Sequence, residues 1–150
     1  LPIGSPANAA RVSALPDADR LEGFPLLHLD FYKDDPAGLS WPEWIARNRI
    51  ARTAPDRGMR FQRITAALGA VQANAGLCLA GVALILDQLE GGAVELPYPL
   101  ATGSPSIHAF TARFRPDTHA RRHIARFRAW LLEEAAKTRE RLSALTGEAE

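Results

Sequence analysis

The sequence predicts an α/β sheet with helices on both faces, and three observations lead there. Strand-like and helix-like segments alternate repeatedly along the chain. Leu77-Cys78-Leu79-Ala80 is apolar on both faces, as a buried central strand is. From Ile64 onward the apolar residues Ile64, Ala67, Leu68, Val71 and Ala75 recur at helical spacing along one stripe.

The elements follow in order. Pro2, Pro6 and Pro16 make the first residues extended and turn-rich, with short helical pieces near 7–11 and 16–21. Leu26-Leu27-His28-Leu29-Asp30, between Pro25 and Pro36, reads as a strand. Ser40-Trp41-Pro42-Glu43 has capping-box spacing, with a Ser to cap the first amides and a Glu three residues on. Pro42 suits a first helical turn, so a helix is expected over 41–49. Asp56-Arg57-Gly58 makes a turn, and 59–62 the next strand. The helix from Ile64 is expected to end on Gly76, the residue most able to adopt a left-handed cap. After strand 77–80, Val82, Ile85, Leu86 and Leu89 suit a short helix closed by Gly91-Gly92. Residues 93–96 read as a strand, 101–105 as a flexible connection and 106–114 as a strand. A long helix follows over 117–145, with the stripe Ala120, Ile124, Phe127, Leu131, Ala135, Thr138, Leu142 and Leu145.

Composition narrows the class. A chain of 150 residues ordinarily makes one domain with a real core. A hydrophobic share of 47% and a charged share of 23% exclude disorder for most of it. Cys78 is the single cysteine, which excludes a disulfide scaffold and suits a reducing cytoplasm. A net charge of +1 leaves no global electrostatic case for nucleic acid or a membrane. The N-terminus lacks a signal-peptide pattern. The longest apolar run, 75–86, is about half of the roughly 20 residues that a membrane helix needs. The first residue is Leu1 rather than Met, so processing or a fragment is expected.

Several chemistries are weighed and set aside. The glycines fit neither nucleotide-binding spacing, and no Gly-x-Ser-x-Gly nucleophile elbow occurs. His28 and Asp30 share a strand face as a base and its orienter do, but without a nucleophile they read as a strand-end pair. His119 and His123 stand four apart on a predicted helix. With Asp117 the one nearby candidate for a third ligand, and Cys78 in an apolar strand, no metal is expected. Arg113, Arg115, Arg121, Arg122, Arg126 and Arg128 form a basic run with Asp117 as its counterweight. Glu133, Glu134 and Glu140 follow, and a solvated helix face accounts for the run better than a DNA surface.

The strand-to-helix junction Phe61-Gln62-Arg63-Ile64-Thr65 is the more informative site. A helix N-terminus offers free amides to an anion, and open α/β sheets bind ligands at the carboxyl ends of their strands. Arg63 adds a bidentate grip on a carboxylate.

Five pieces in order carry a resemblance. They are Ser5-Pro6-Ala7 with Ala9-Ala10-Arg11, and Pro25-Leu26-Leu27-His28-Leu29-Asp30 followed by Trp41-Pro42-Glu43-Trp44. Gly58-Met59-Arg60-Phe61 comes next, with its small-residue helix and Ala75-Gly76-Leu77-Cys78-Leu79-Ala80. Gly92-Ala93-Val94-Glu95-Leu96-Pro97-Tyr98 and Phe127-Arg128-Ala129-Trp130-Leu131-Leu132-Glu133-Glu134-Ala135 complete it. Together they resemble the effector-binding domain of LysR-type transcriptional regulators, across nearly the whole chain.

The resemblance implies a fold like a type 2 periplasmic binding protein, two-lobed, with an effector in the cleft between the lobes. On that pattern 1–5 is a crossover-strand remnant, 6–100 a complete Rossmann-like lobe II, and 101–150 the return crossover strand and C-terminal helix of lobe I. The winged helix-turn-helix domain and the first part of lobe I are expected to be absent. Positions matching the family's cleft are Ser5, Gln62, Arg63, Ile64, Thr65, Gly103 and Ser104, with Asp30 and Phe31 beside them. Gly-Ser-Pro occurs both at Gly4-Ser5-Pro6 and at Gly103-Ser104-Pro105, flanking the α/β block.

The implied function is regulation rather than catalysis. A small-molecule effector, anionic if Arg63 grips it, shifts a cytoplasmic homodimer or homotetramer between arrangements without cofactor or membrane. DNA is touched only through the absent domain. A periplasmic solute receptor of the same fold and an α/β enzyme are the competing readings.

Overall fold

The computed structural model describes residues 1–16, 21–30, 38–105, 110–115 and 121–147. The chain divides into two units, Leu1–Ser106 and Ile107–Glu150.

In the first unit, β1 (Pro2–Ile3) runs into α1 (Pro6–Ser13), which starts where Pro6 suits a first turn and Ser5 accepts from the amide of Asn8. β2 (Leu26–Leu29) leads to α2 (Trp41–Asn48), whose capping box is complete. The Ser40 hydroxyl accepts from the Glu43 amide, and a Glu43 carboxylate oxygen accepts from the Ser40 amide at 2.8 Å. β3 (Gly58–Phe61), α3 (Ile64–Gln72) and β4 (Leu77–Leu79) follow, then a 3₁₀ turn at Val82–Leu84 and α4 (Leu86–Glu90).

The four strands form one sheet in the order β1-β4-β2-β3. β2 is parallel to both β3 and β4, while β1 is antiparallel to β4. The register pairs Leu26 with Leu77 and Leu27 with Cys78, so alternate residues enter two separate cores. Leu26 and Leu77 join Val12, Leu21, Phe24, Trp41, Trp44, Ile45 and Tyr98 on the side of α1 and α2. Leu27 and Cys78 join Ile3, Ala67, Val71, Ile85 and Val94 on the side of α3 and α4. Helices therefore cover both faces, as the alternation predicts.

Local differences have physical reasons. Gly76 does not cap α3: the helix stops at Gln72, and Asn74 takes the left-handed conformation at φ 62°. Gly76 sits instead at φ 157°, where an added Cβ would lie 2.3 Å from the Pro25 carbonyl oxygen. The helix expected through 82–89 breaks at Ile85, fully buried at φ −125° and ψ 12°. Residues 93–96 make one bridge, Gly4 with Glu95, rather than a strand; the ladder cannot continue through Pro97, which has no N–H. The connection 101–105 is not loose: Leu100–Thr102 is a 3₁₀ turn.

In the second unit, α5 spans Arg122–Thr146 and ends on Gly147 at φ 70°. Its expected start at 117–120 lies outside the described residues, as do 106–109 of the expected strand and 17–20 of the second helical piece. Residues 110–114 are not in a strand, and Phe110 is 80% exposed. No residue of α5 is buried, although Ile124, Leu131, Ala135, Thr138, Leu142 and Leu145 are half-buried. Phe127 meets Phe114 edge-on at 6.3 Å and lies tilted by 31° against Trp130 at 5.7 Å.

Candidate functional site

Because β2, β3 and β4 are parallel, their carboxyl ends share one edge of the sheet. Asp30 follows β2 there, and Gln62, Arg63, Ile64 and Thr65 follow β3. Leu1 joins that edge through its amine, which donates to the carbonyl of Ala80 just after β4 at 3.0 Å. Gly103 stands beside it, since a Cβ on Gly103 would meet the Leu1 side chain at 3.1 Å. Asp30, the β3–α3 junction and Gly103 are thus gathered at one edge, with Ser104 next in chain.

Ser5 lies elsewhere. It follows β1, which runs opposite to β4, and so stands at the amino-end edge of the parallel strands. There its hydroxyl caps α1 and donates to the side-chain oxygen of Asn74. Ser5 is buried and its hydroxyl is taken up by the fold. Phe31 lies outside the described residues.

The junction itself is open. Arg63 is the N-cap residue of α3 and makes no side-chain cap, and Gln62, Arg63 and Thr65 are exposed. The first amides of α3 therefore have no side-chain oxygen upon them from the N-cap position, the condition in which a helix start receives an anion.

Arg60 completes the electrostatics of this edge. Its guanidinium donates to Asp30 Oδ1 at 2.8 Å and to the Asp56 carbonyl at 3.4 Å. The register sets Arg60 opposite His28, so His28, Asp30 and Arg60 lie on one face of the β2–β3 pair. Burial pulls the His28 imidazole below its usual value, and the Arg60 cation adds to that; the Arg57 backbone, Asp30 and Asp56 oppose it. His28 Nε2 is buried without a hydrogen-bond partner. Arg60 was not singled out in the sequence, because its partnership depends on which strand β3 pairs with and in what register.

The other candidates remain dispersed. Among the described residues no group of three His, Cys, Asp or Glu is placed to hold a metal ion. His123 is exposed on α5, while His119 and Asp117 lie outside the described residues. Arg113, Arg115, Arg121, Arg122, Arg126 and Arg128 are all exposed. Among the described residues no helix is long and apolar enough to cross a membrane.

No family model and no curated protein matches the chain. Solved structures do. The effector-binding domain of AmpR from Citrobacter freundii aligns at a TM-score of 0.52 with 24% identity, over 65% of this chain and 45% of that one. The effector domain of the transcriptional regulator AmpR of Pseudomonas aeruginosa aligns at a TM-score of 0.58 with 23% identity, over 94% of this chain and 62% of that one. The fold is similar to that of part of an AmpR effector-binding domain. The chain spans less than two thirds of the length of these AmpR domains.

Proposed function

We propose that this chain is the effector-binding part of a LysR-type transcriptional regulator, which senses a small molecule and has no catalytic role. The observation that carries the reading is the AmpR effector-domain fold over 94% of the chain, combined with an open helix start at the carboxyl edge of its parallel sheet. Residues 6–100 act as lobe II, and 101–150 return the chain to lobe I. The effector, an anion such as a small carboxylate, is received by Arg63 and the amides of Ile64 and Thr65. Gln62, Asp30, Gly103 and Ser104 border it; Phe31, the remaining candidate, lies outside the described residues. Ser5 is left to the fold, because its hydroxyl caps α1.

Regulation needs only that the effector bind one lobe arrangement better than another. That preference is passed to a cytoplasmic homodimer or homotetramer, which touches DNA through a separate domain. The test is a thermal-shift screen of small carboxylates and amino acids, followed by titration calorimetry of each hit against Arg63→Ala. Weakened binding of an anionic hit in the variant supports the site. Undiminished binding removes Arg63 from it, and substrate turnover in the same screen overturns the regulatory reading.

A further inference from the structure

Of the described residues in the candidate site, two are charged, Asp30 and Arg63. By themselves, a carboxylate and a guanidinium fit a zwitterion such as an amino acid, whose ammonium and carboxylate each find an opposite charge. Arg60 removes that match. Its guanidinium donates to Asp30 Oδ1 at 2.8 Å and is steadied by the Asp56 carbonyl at 3.4 Å. The Asp30 side chain is 14% exposed and that of Arg60 49%. The carboxylate is therefore the sheltered partner, where salt screens its pairing less than at an open surface.

Strand register brings this pair to the site. β2 and β3 pair as far as Leu29 and Phe61, and Asp30 and Gln62 are the next residue of each chain segment. Neighbouring strands run about 4.8 Å apart, so Asp30 stands one strand spacing from Gln62 and one residue further from Arg63. A charge at Asp30 is then felt by a ligand held at Arg63 and the amides of Ile64 and Thr65. Arg63 has no acidic partner among the described residues. Arg47, which donates to the Ser104 hydroxyl, adds a cation at the border of the site. His28, opposite Arg60 in the register, adds none at neutral pH, because burial keeps its imidazole below its usual value.

We propose that Arg60 is a specificity-determining residue of this site. By neutralising Asp30 it leaves the site net cationic, which selects a simple carboxylate over an amino acid that carries the same carboxylate. Arg60 acts through Asp30 and does not itself hold the effector. An α-ammonium gains no counter-charge at Asp30 and is repelled by Arg63, so the two ligand classes are separated by what the second one lacks. The inference rests on the effector reading and names the charge class of the ligand within it.

Acetate and glycine differ by that ammonium alone, so they are the probes. Each is titrated into the whole chain at neutral pH, with the amide resonances of Ile64 and Thr65 as the readout. Wild type should bind acetate more tightly than glycine. In Arg60→Gln the Asp30 charge is unbalanced, and the preference for acetate should shrink by about fivefold or more. Arg60→Gln combined with Asp30→Asn should recover the preference, as should Arg60→Lys. Asp30→Asn alone should widen it, and this variant carries the test if Arg60→Gln does not fold. A preference unchanged in Arg60→Gln, or not widened in Asp30→Asn, overturns the inference. So does a double variant that fails to recover, since Arg60 would then act on the ligand directly. Glycine bound as tightly as acetate by wild type overturns the inference and leaves the effector reading standing. If neither probe moves the Ile64 and Thr65 amides of wild type, the anion site of that reading falls and the inference falls with it.

Discussion

The indole Nε1 of Trp41 donates to the main-chain carbonyl of Leu27 at 3.0 Å, so the first residue of α2 is bonded to the β2 strand beneath it. Both residues are fully or almost fully buried. A carbonyl at that depth has no water to turn to. Trp41→Phe keeps a ring in place but leaves the carbonyl without this donor and opens space beside Trp44. A loss of about 2–4 kcal/mol is expected in urea unfolding. A loss under about 1 kcal/mol would mean that the indole bond contributes little to holding α2 on the sheet.

Two glycines differ sharply in what they tolerate. At Gly58 an added Cβ would lie 1.9 Å from the Leu26 carbonyl oxygen, inside the backbone of the neighbouring strand. Gly69 has nothing within 4 Å and lies within α3. Gly58→Ala should cost roughly 3 kcal/mol or more, because β2 and β3 must separate. Gly69→Ala should stabilise by about 0.5–1 kcal/mol, since a helix interior favours Ala over Gly. Thermal melts of the two variants should shift in opposite directions, and an unchanged melt for Gly58→Ala would contradict the close approach of Gly58 to Leu26.

The capping box makes an acid-side prediction. Hydrogen bonds from the Ser40 amide and hydroxyl hold the Glu43 carboxyl below its usual value of 4.5, against a smaller desolvation effect. A carboxyl depressed by folding stabilises fully above its unfolded value, and that contribution disappears as pH falls through the folded one. Wild type should therefore lose a small increment of stability below pH 4.5 that Glu43→Gln lacks. Urea midpoints taken down the acid limb read the difference, and parallel curves would remove Glu43 from the cap's pH response. Ser40→Ala should cost about 1 kcal/mol at neutral pH.

Cys78 should be chemically silent while the protein is folded. It sits in β4, fully buried, and burial raises its thiol to about 12. The thiolate is the reacting species, so an aromatic disulfide reagent should titrate no thiol at neutral pH until denaturant is added. Prompt reaction of the native protein would place Cys78 outside the core.

The sequence was most legible where local chemistry and periodicity agreed. Ser40 and Glu43 announce their helix by spacing alone, and Leu77-Cys78-Leu79 announces a strand buried on both faces. It was least legible where a distant partner decides. Asn74 rather than Gly76 takes the left-handed turn, because Gly76 is needed where the chain passes against Pro25. Residues 101–105 read as a flexible connection, since no local pattern reveals that Trp44 and Asn48 reach across to Thr102. The candidate site divides the same way. The β3–α3 junction is visible as a strand meeting a helix, whereas the Arg60–Asp30 pair exists only through strand register. Ser5 lies in a tripeptide repeated at Gly103-Ser104-Pro105, yet the antiparallel course of β1 carries it to the other edge.

His28 supplies the clearest neutral-range test of that edge. Its ring is buried, its Nε2 has no partner, and Arg60 lies opposite it in the register. An imidazolium there would present a second N–H with nothing to accept it, beside an existing cation. Burial accordingly pulls the group below 6.5 in the folded protein. The unfolded chain then binds the proton first as pH falls, so stability is whole above pH 6.5 and declines as pH descends from there to the folded value. His28→Leu should flatten this part of the pH–stability curve, leaving only what the remaining histidines contribute. Identical slopes for wild type and variant across pH 6.5 would mean that His28 charges as freely in the folded state as in the unfolded one.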